Sequence, residues 1–201
     1  MIQAAHNLSG RWFFNHYASF MIKRDFKQVV IENEFKNPKG PLIAIGNHST
    51  WWDGFICLYL NNLYFKRKFY VMMLEEELEK RKFLRRAGAF SIKKGDRSSV
   101  ESLEYAASIL RNNQNLLLLY PQGKIISQYD SEIIFEQGWF RILKILDKAV
   151  HSVFFVALTD YFSDRKPTLY VYMTNYLISP VNAPEDVQLA FNSFYNECVE
   201  K

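Results

Sequence analysis

The segment Gly46-Asn47-His48-Ser49-Thr50-Trp51-Trp52-Asp53-Gly54 sets a histidine five positions before an aspartate. A carboxylate that accepts a hydrogen bond from one imidazole nitrogen fixes the tautomer. It also stabilises the imidazolium when the other nitrogen takes a proton, so the pair suits a general base. Spacing alone favours a plainer reading, a structural histidine beside an aspartate that starts a helix. Two further loops change the balance. Gly88-Ala89-Phe90-Ser91-Ile92-Lys93-Lys94-Gly95-Asp96 places cations after a short apolar run, and Tyr120-Pro121-Gln122-Gly123-Lys124 breaks a second apolar run with Pro and Gly and leaves a cation there. One base with two cationic loops is what transfer chemistry on a hydroxyl near a phosphate requires. The sequence has no Gly-x-Ser-x-Gly elbow, no P-loop and no Gly-x-Gly-x-x-Gly fingerprint, and His48 has no neighbouring His or Cys at metal-ligand spacing.

These loops need strands to hold them. Short apolar runs at 42–46, 69–74, 89–92, 115–120, 152–158 and 168–175 read as strands. Helical patterns at 52–62, 76–87, 99–112, 138–148 and after Pro184 alternate with them, and a further strand is expected over 26–35. The alternation implies an α/β fold, a largely parallel β-sheet flanked by helices, whose ligands gather beyond the carboxyl ends of the strands. Ser98-Ser99-Val100-Glu101 reads as a capping box. Residues 1–24 contain no acid and space Phe13, Tyr17, Phe20 and Met21 along one face of an N-terminal amphipathic helix. That face either packs on the core or lies in a membrane interface with Arg11, Lys23 and Arg24 on its polar side.

At 201 residues, 49% hydrophobic and 23% charged, the chain is long and apolar enough for one folded core without staples. Cys57 and Cys198 read as free thiols in a reducing compartment. No apolar run is long enough to span a bilayer, and the opening residues lack a secretory pattern. Of the net charge of +4, residues 66–97 carry an excess of six bases over acids, which suits phosphate or an anionic membrane surface; no recognition motif for nucleic acid accompanies it. Aromatics reach 16%, a share that suits a large core or a lipid-facing surface.

Taken in order, residues 47–158 resemble the glycerolipid acyltransferase family, which includes the 1-acyl-sn-glycerol-3-phosphate acyltransferases. His48 through Asp53 is similar to that family's His-x-x-x-x-Asp block, which implies His48 as general base and Asp53 as its orienting partner. Residues 88–94 resemble the second block and imply that Lys94 contacts the acceptor's phosphate. Residues 120–123 resemble the third, usually Phe-Pro-Glu-Gly-Thr-Arg, and imply acceptor binding by Gln122, Gly123 and Lys124, with Gly138 at a later small-residue position. Residues 153–158 resemble the fourth block without its proline. Gln122 stands for Glu, Lys124 for Thr and Ile125 for Arg, so either a phosphate-bearing lysolipid or a glycolipid fits as acceptor.

The resemblance implies direct attack of an acceptor hydroxyl on the thioester of acyl-CoA or acyl carrier protein, with no cofactor or metal and no covalent acyl enzyme. Backbone amides near Gly123 are expected to form an oxyanion hole, and Trp51, Trp52 and Phe90 to line the acyl chain. Residues 1–24 are expected to contact the membrane and 25–201 to form the acyltransferase domain of a cytoplasmic, peripherally bound enzyme. A non-catalytic lipid-binding protein and an acyl thioesterase are the alternatives.

Overall fold

The chain runs α1 (Leu8–Asp25), β1 (Gln28–Asn33), β2 (Leu42–Gly46), α2 (Asp53–Leu60), β3 (Lys68–Leu74), α3 (Glu75–Lys80), β4 (Ala89–Ile92), α4 (Ser98–Ile109), β5 (Asn115–Leu119), α5 (Arg141–Leu146), β6 (Val150–Asp160), β7 (Thr168–Ile178) and α6 (Pro184–Val199). These elements are those of a computed structural model that describes residues 1–93, 95 and 98–201, the side chain of Ser98 excepted. The seven strands form one sheet in the order β1-β7-β6-β2-β5-β3-β4.

Five neighbouring strands, β6, β2, β5, β3 and β4, run parallel, as the alternation of elements predicts. The far edge departs from that pattern. β7 follows β6 through a connection of seven residues, 161–167, too short for a crossover, so it pairs antiparallel, and β1 lies parallel to β7. The sheet is therefore mixed, with its parallel part where the functional loops emerge.

Period-2 geometry explains why β2 and β5 are apolar throughout. Ile43, Ile45, Leu117 and Leu119 enter a core with Leu103, Ala106 and Ala107 of α4, Ile142 and Leu143 of α5, and Phe191 and Tyr195 of α6. Leu42, Ala44, Leu116 and Leu118 face the other way, onto Phe14, Ala18 and Ile22 of α1 and Ile56, Cys57 and Leu60 of α2. Each fully buried Leu or Ile contributes about 1.5–3 kcal/mol of transfer free energy. The strand ends are thus held from both faces.

The stripe expected on α1 does not pack on the core as a whole. Met21 is buried, but Phe13 and Phe20 are 52% and 58% exposed, and the helix docks through Gly10, Phe14, Ala18, Met21 and Ile22. Aromatic residues at 12, 13, 14, 17 and 20 fit two helical faces equally well, and only packing chooses between them. Helices α2, α3 and α5 are also shorter than their patterns suggest, and α4 stops at Ile109. α2 passes into a wide turn over Asn61–Phe65, α3 gives way at Arg81 to a tight helix over Lys82–Ala87, and α5 follows a similar tight turn over Gln137–Phe140. Among Lys82–Ala87 no residue is fully buried, so packing does not hold an α-helix there. The capping contact expected of Ser98 lies outside the described side chains.

Candidate active site

β2 ends at Gly46, opposite Phe155 of β6, and a Cβ on Gly46 would stand 2.2 Å from the Phe155 ring. Only glycine lets the strand end approach so closely. Asn47 continues the ladder with its side chain: Oδ1 accepts from the Ala157 amide at 2.8 Å, while Nδ2 donates to the Ala157 carbonyl at 2.9 Å and to Ser49 Oγ at 3.2 Å. This clamp fixes where the next residue, His48, leaves the sheet.

His48 Nδ1–H donates to Asp53 Oδ2 at 2.9 Å. Asp53 is the first residue of α2, where the helix dipole favours a carboxylate. Its Oδ2 also accepts the amides of Ser49 and Thr50, each at 2.8 Å, and Oδ1 accepts the Thr50 hydroxyl at 2.7 Å. The carboxylate therefore shapes the whole loop as well as the imidazole. It is nearly buried, whereas His48 remains partly open to solvent, and among the described residues nothing hydrogen-bonds its Nε2. With Nδ1 held as donor, Nε2 carries the lone pair that can take a proton.

The loop after β5 grips His48 from the other side. The Gln122 side chain is 3% exposed; its Oε1 accepts the His48 amide at 3.2 Å, and its Nε2 donates to the carbonyls of His48 at 2.8 Å and Lys124 at 2.9 Å. The Ile126 amide adds a second donor to the His48 carbonyl at 3.0 Å. Gly123, at φ +65°, turns its amide back onto the Tyr120 carbonyl at 3.0 Å. Tyr120 lays its ring flat on the imidazole, centroids 4.4 Å apart and planes 15° apart.

His48, Asp53, Gln122 and Gly123 thus converge at the ends of β2 and β5, with Gln122 bound to backbone and the Gly123 amide engaged within its turn. Lys124 and Ile125 point outward and are exposed. Lys94 lies outside the described residues. Of the expected acyl lining, Phe90 is fully buried in the core against Tyr105, and Trp51 is exposed. Trp52 does border a groove of about 490 Å³, together with Thr50, Asp53, Ile56, Ala157, Tyr161, Phe26, Pro167 and the Arg24–Asp25 pair. Asn47, Thr50 and Tyr120 carry parts of the site that spacing and charge do not reveal. Their clue is position, at or just beyond a buried strand's end.

The two cysteine thiols are set aside as nucleophiles by burial, which pushes Cys198 up to about 12 and Cys57 further still. Among the described residues no three metal-ligating side chains converge, and no helix is long and apolar enough to cross a membrane.

Comparison with known proteins bears on the fold and the family. The fold is similar to that of the 1-acyl-sn-glycerophosphate (LPA) acyltransferase PlsC from Thermotoga maritima, with a TM-score of 0.66 and 13% identity over 94% of this chain and 78% of that one. No curated protein matches the sequence. The acyltransferase family model matches residues 27–156, a span that begins just before β1, contains both loops around His48 and ends within β6, and the chain belongs to that family.

Proposed function

We propose that the protein transfers a fatty acyl group from acyl-CoA or acyl carrier protein to the hydroxyl of a lysophospholipid such as 1-acyl-glycerol-3-phosphate or a related lipid acceptor. The observation that carries the reading is the His48–Asp53 pair, held at 2.9 Å beside an open groove with Nε2 free to accept a proton. Nε2 takes the proton of the acceptor hydroxyl as its oxygen attacks the thioester carbonyl. The tetrahedral intermediate then expels the thiolate, which recovers the proton from the imidazolium, so the base returns to its starting state. Asp53 stabilises that imidazolium and holds the tautomer that leaves Nε2 as the proton acceptor.

The surface suits a lipid substrate. Trp12, Phe13 and Phe20 of α1 are 65%, 52% and 58% exposed, and ring contacts run from Phe13 through Tyr17 and Phe55 to exposed Trp51, three residues beyond His48. An aromatic strip beside the base is suited to a membrane interface that holds both lipid substrate and enzyme. Replacing Trp12, Phe13 and Phe20 together by Ser tests this role and spares the buried face of α1; weaker liposome binding is expected. Deleting residues 1–24 would remove Phe14, Ala18 and Ile22 from the core and report unfolding instead.

The deciding experiment is thiol release from acyl-CoA or acyl carrier protein with a panel of lysolipids and glycolipids, and with His48→Ala as control. Acceptor-dependent release with a new ester, abolished in His48→Ala, is the expected result. Free fatty acid in place of an ester identifies a thioesterase. A His48→Ala protein with normal turnover overturns the base.

A further inference from the structure

We infer that the face of the Tyr120 ring stabilises the imidazolium that forms on His48 during the reaction, so that Tyr120 is a positioning residue for the base; this role rests on His48 acting as that base. The ring lies flat against the imidazole at 4.4 Å with 15° between planes. An aromatic face is its negative side, and a cation lying on it is attracted. Asp53 supports the imidazolium from the edge, through Nδ1. Its Oδ2 is shared with the Ser49 and Thr50 amides and its Oδ1 with the Thr50 hydroxyl, so its charge is already divided among four donors. The face of the imidazole is left to Tyr120.

The ring is well seated for that task. It belongs to the residue that directly follows β5, packs edge-on against Phe155 at 6.2 Å between centroids, and forms part of the partly buried shell around the core on the α1 and α2 side. Its hydroxyl is buried with no hydrogen-bond partner among the described residues. Burial, with Asp53 and Cys57 nearby, holds the phenol well above its ordinary range and so neutral. A phenol that donates to nothing and stays uncharged offers His48 its ring rather than its oxygen.

The test is a series at position 120 assayed for acyl transfer with whichever acceptor supports turnover: Tyr120→Phe, Tyr120→Leu, and phenylalanines carrying one to five ring fluorines. Fluorination drains the negative face at nearly constant size. Tyr120→Phe is expected within about threefold of wild type, because the face is kept. Tyr120→Leu lowers kcat by about two- to thirtyfold, the range of a cation–π contact, with KM little changed. Along the fluorinated series kcat steps down with each fluorine. A flat kcat across that series, or a loss carried by KM, overturns the inference while the base stands. Normal turnover by His48→Ala overturns both, so the two failures are distinguishable. Should Tyr120→Leu melt early, the fluorinated series decides alone.

Discussion

The loops that follow β2 and β5 lie side by side and serve one imidazole in opposite ways. The first works through side chains: His48 and Asp53 meet at 2.9 Å, and both carboxylate oxygens are engaged by the same short segment. The second works through support. Gln122 and the Ile126 amide bind the main chain of His48, and Tyr120 bears on its ring. A loop that acts by its own side chains must keep their types and spacing. A loop that braces a neighbour's backbone needs only a group that can donate and accept at the right place, and Gln122 does both. In the resemblance drawn from the sequence, His48 and Asp53 keep the expected block while residue 122 departs from its own, and here Gln122 braces His48 as a carboxylate could not.

If the first loop carries the chemistry, Asp53→Asn has the largest effect. The amide no longer holds Nδ1–H as a charged acceptor, and kcat is expected to fall by about 10⁴-fold, as for the equivalent change in a Ser-His-Asp triad, with an unchanged circular dichroism spectrum. Retained turnover breaks the division of labour. Asn47→Ala removes the clamp on Ala157 and leaves a buried amide and carbonyl unpaired, so we expect a loss of about 2–4 kcal/mol in denaturant unfolding.

Gln122→Glu sharpens the contrast, because it restores the family's usual residue. A carboxylate cannot donate to the His48 and Lys124 carbonyls, and the expected change is a destabilisation of about 1–3 kcal/mol, read as a lower Tm. A more stable Glu variant contradicts the bracing role. Tyr120→Phe removes a buried hydroxyl that has no partner and is expected to raise stability by up to about 1 kcal/mol. Lys124→Ala changes an exposed side chain and keeps the main-chain carbonyl that accepts from Gln122, so unfolding moves by less than about 0.5 kcal/mol. A larger KM for a phosphate-bearing acceptor in that variant would show a substrate contact that the folded chain does not need.

Much of this molecule is written in local pattern. Continuous apolar runs mark β2 and β5 as strands buried on both faces, and their alternation with helices announces the parallel part of the sheet. The five-residue step from His48 to Asp53 places an imidazole against a helix start. Such features are legible because each depends on residues close together in the chain. Tertiary packing settled the remainder. It chose Phe14, Ala18 and Ile22 over Phe13 and Phe20 as the buried face of α1, since aromatic residues fit both faces and only the contacts made in the fold choose between them. It turned β7 antiparallel because the preceding connection is too short to cross over. It sent Phe90 into the core and bound Gln122 to the backbone of His48, 74 positions away. It also set Tyr120 flat on the imidazole. Contacts of that range arise from the order of strands in the sheet, and no spacing along the chain encodes them.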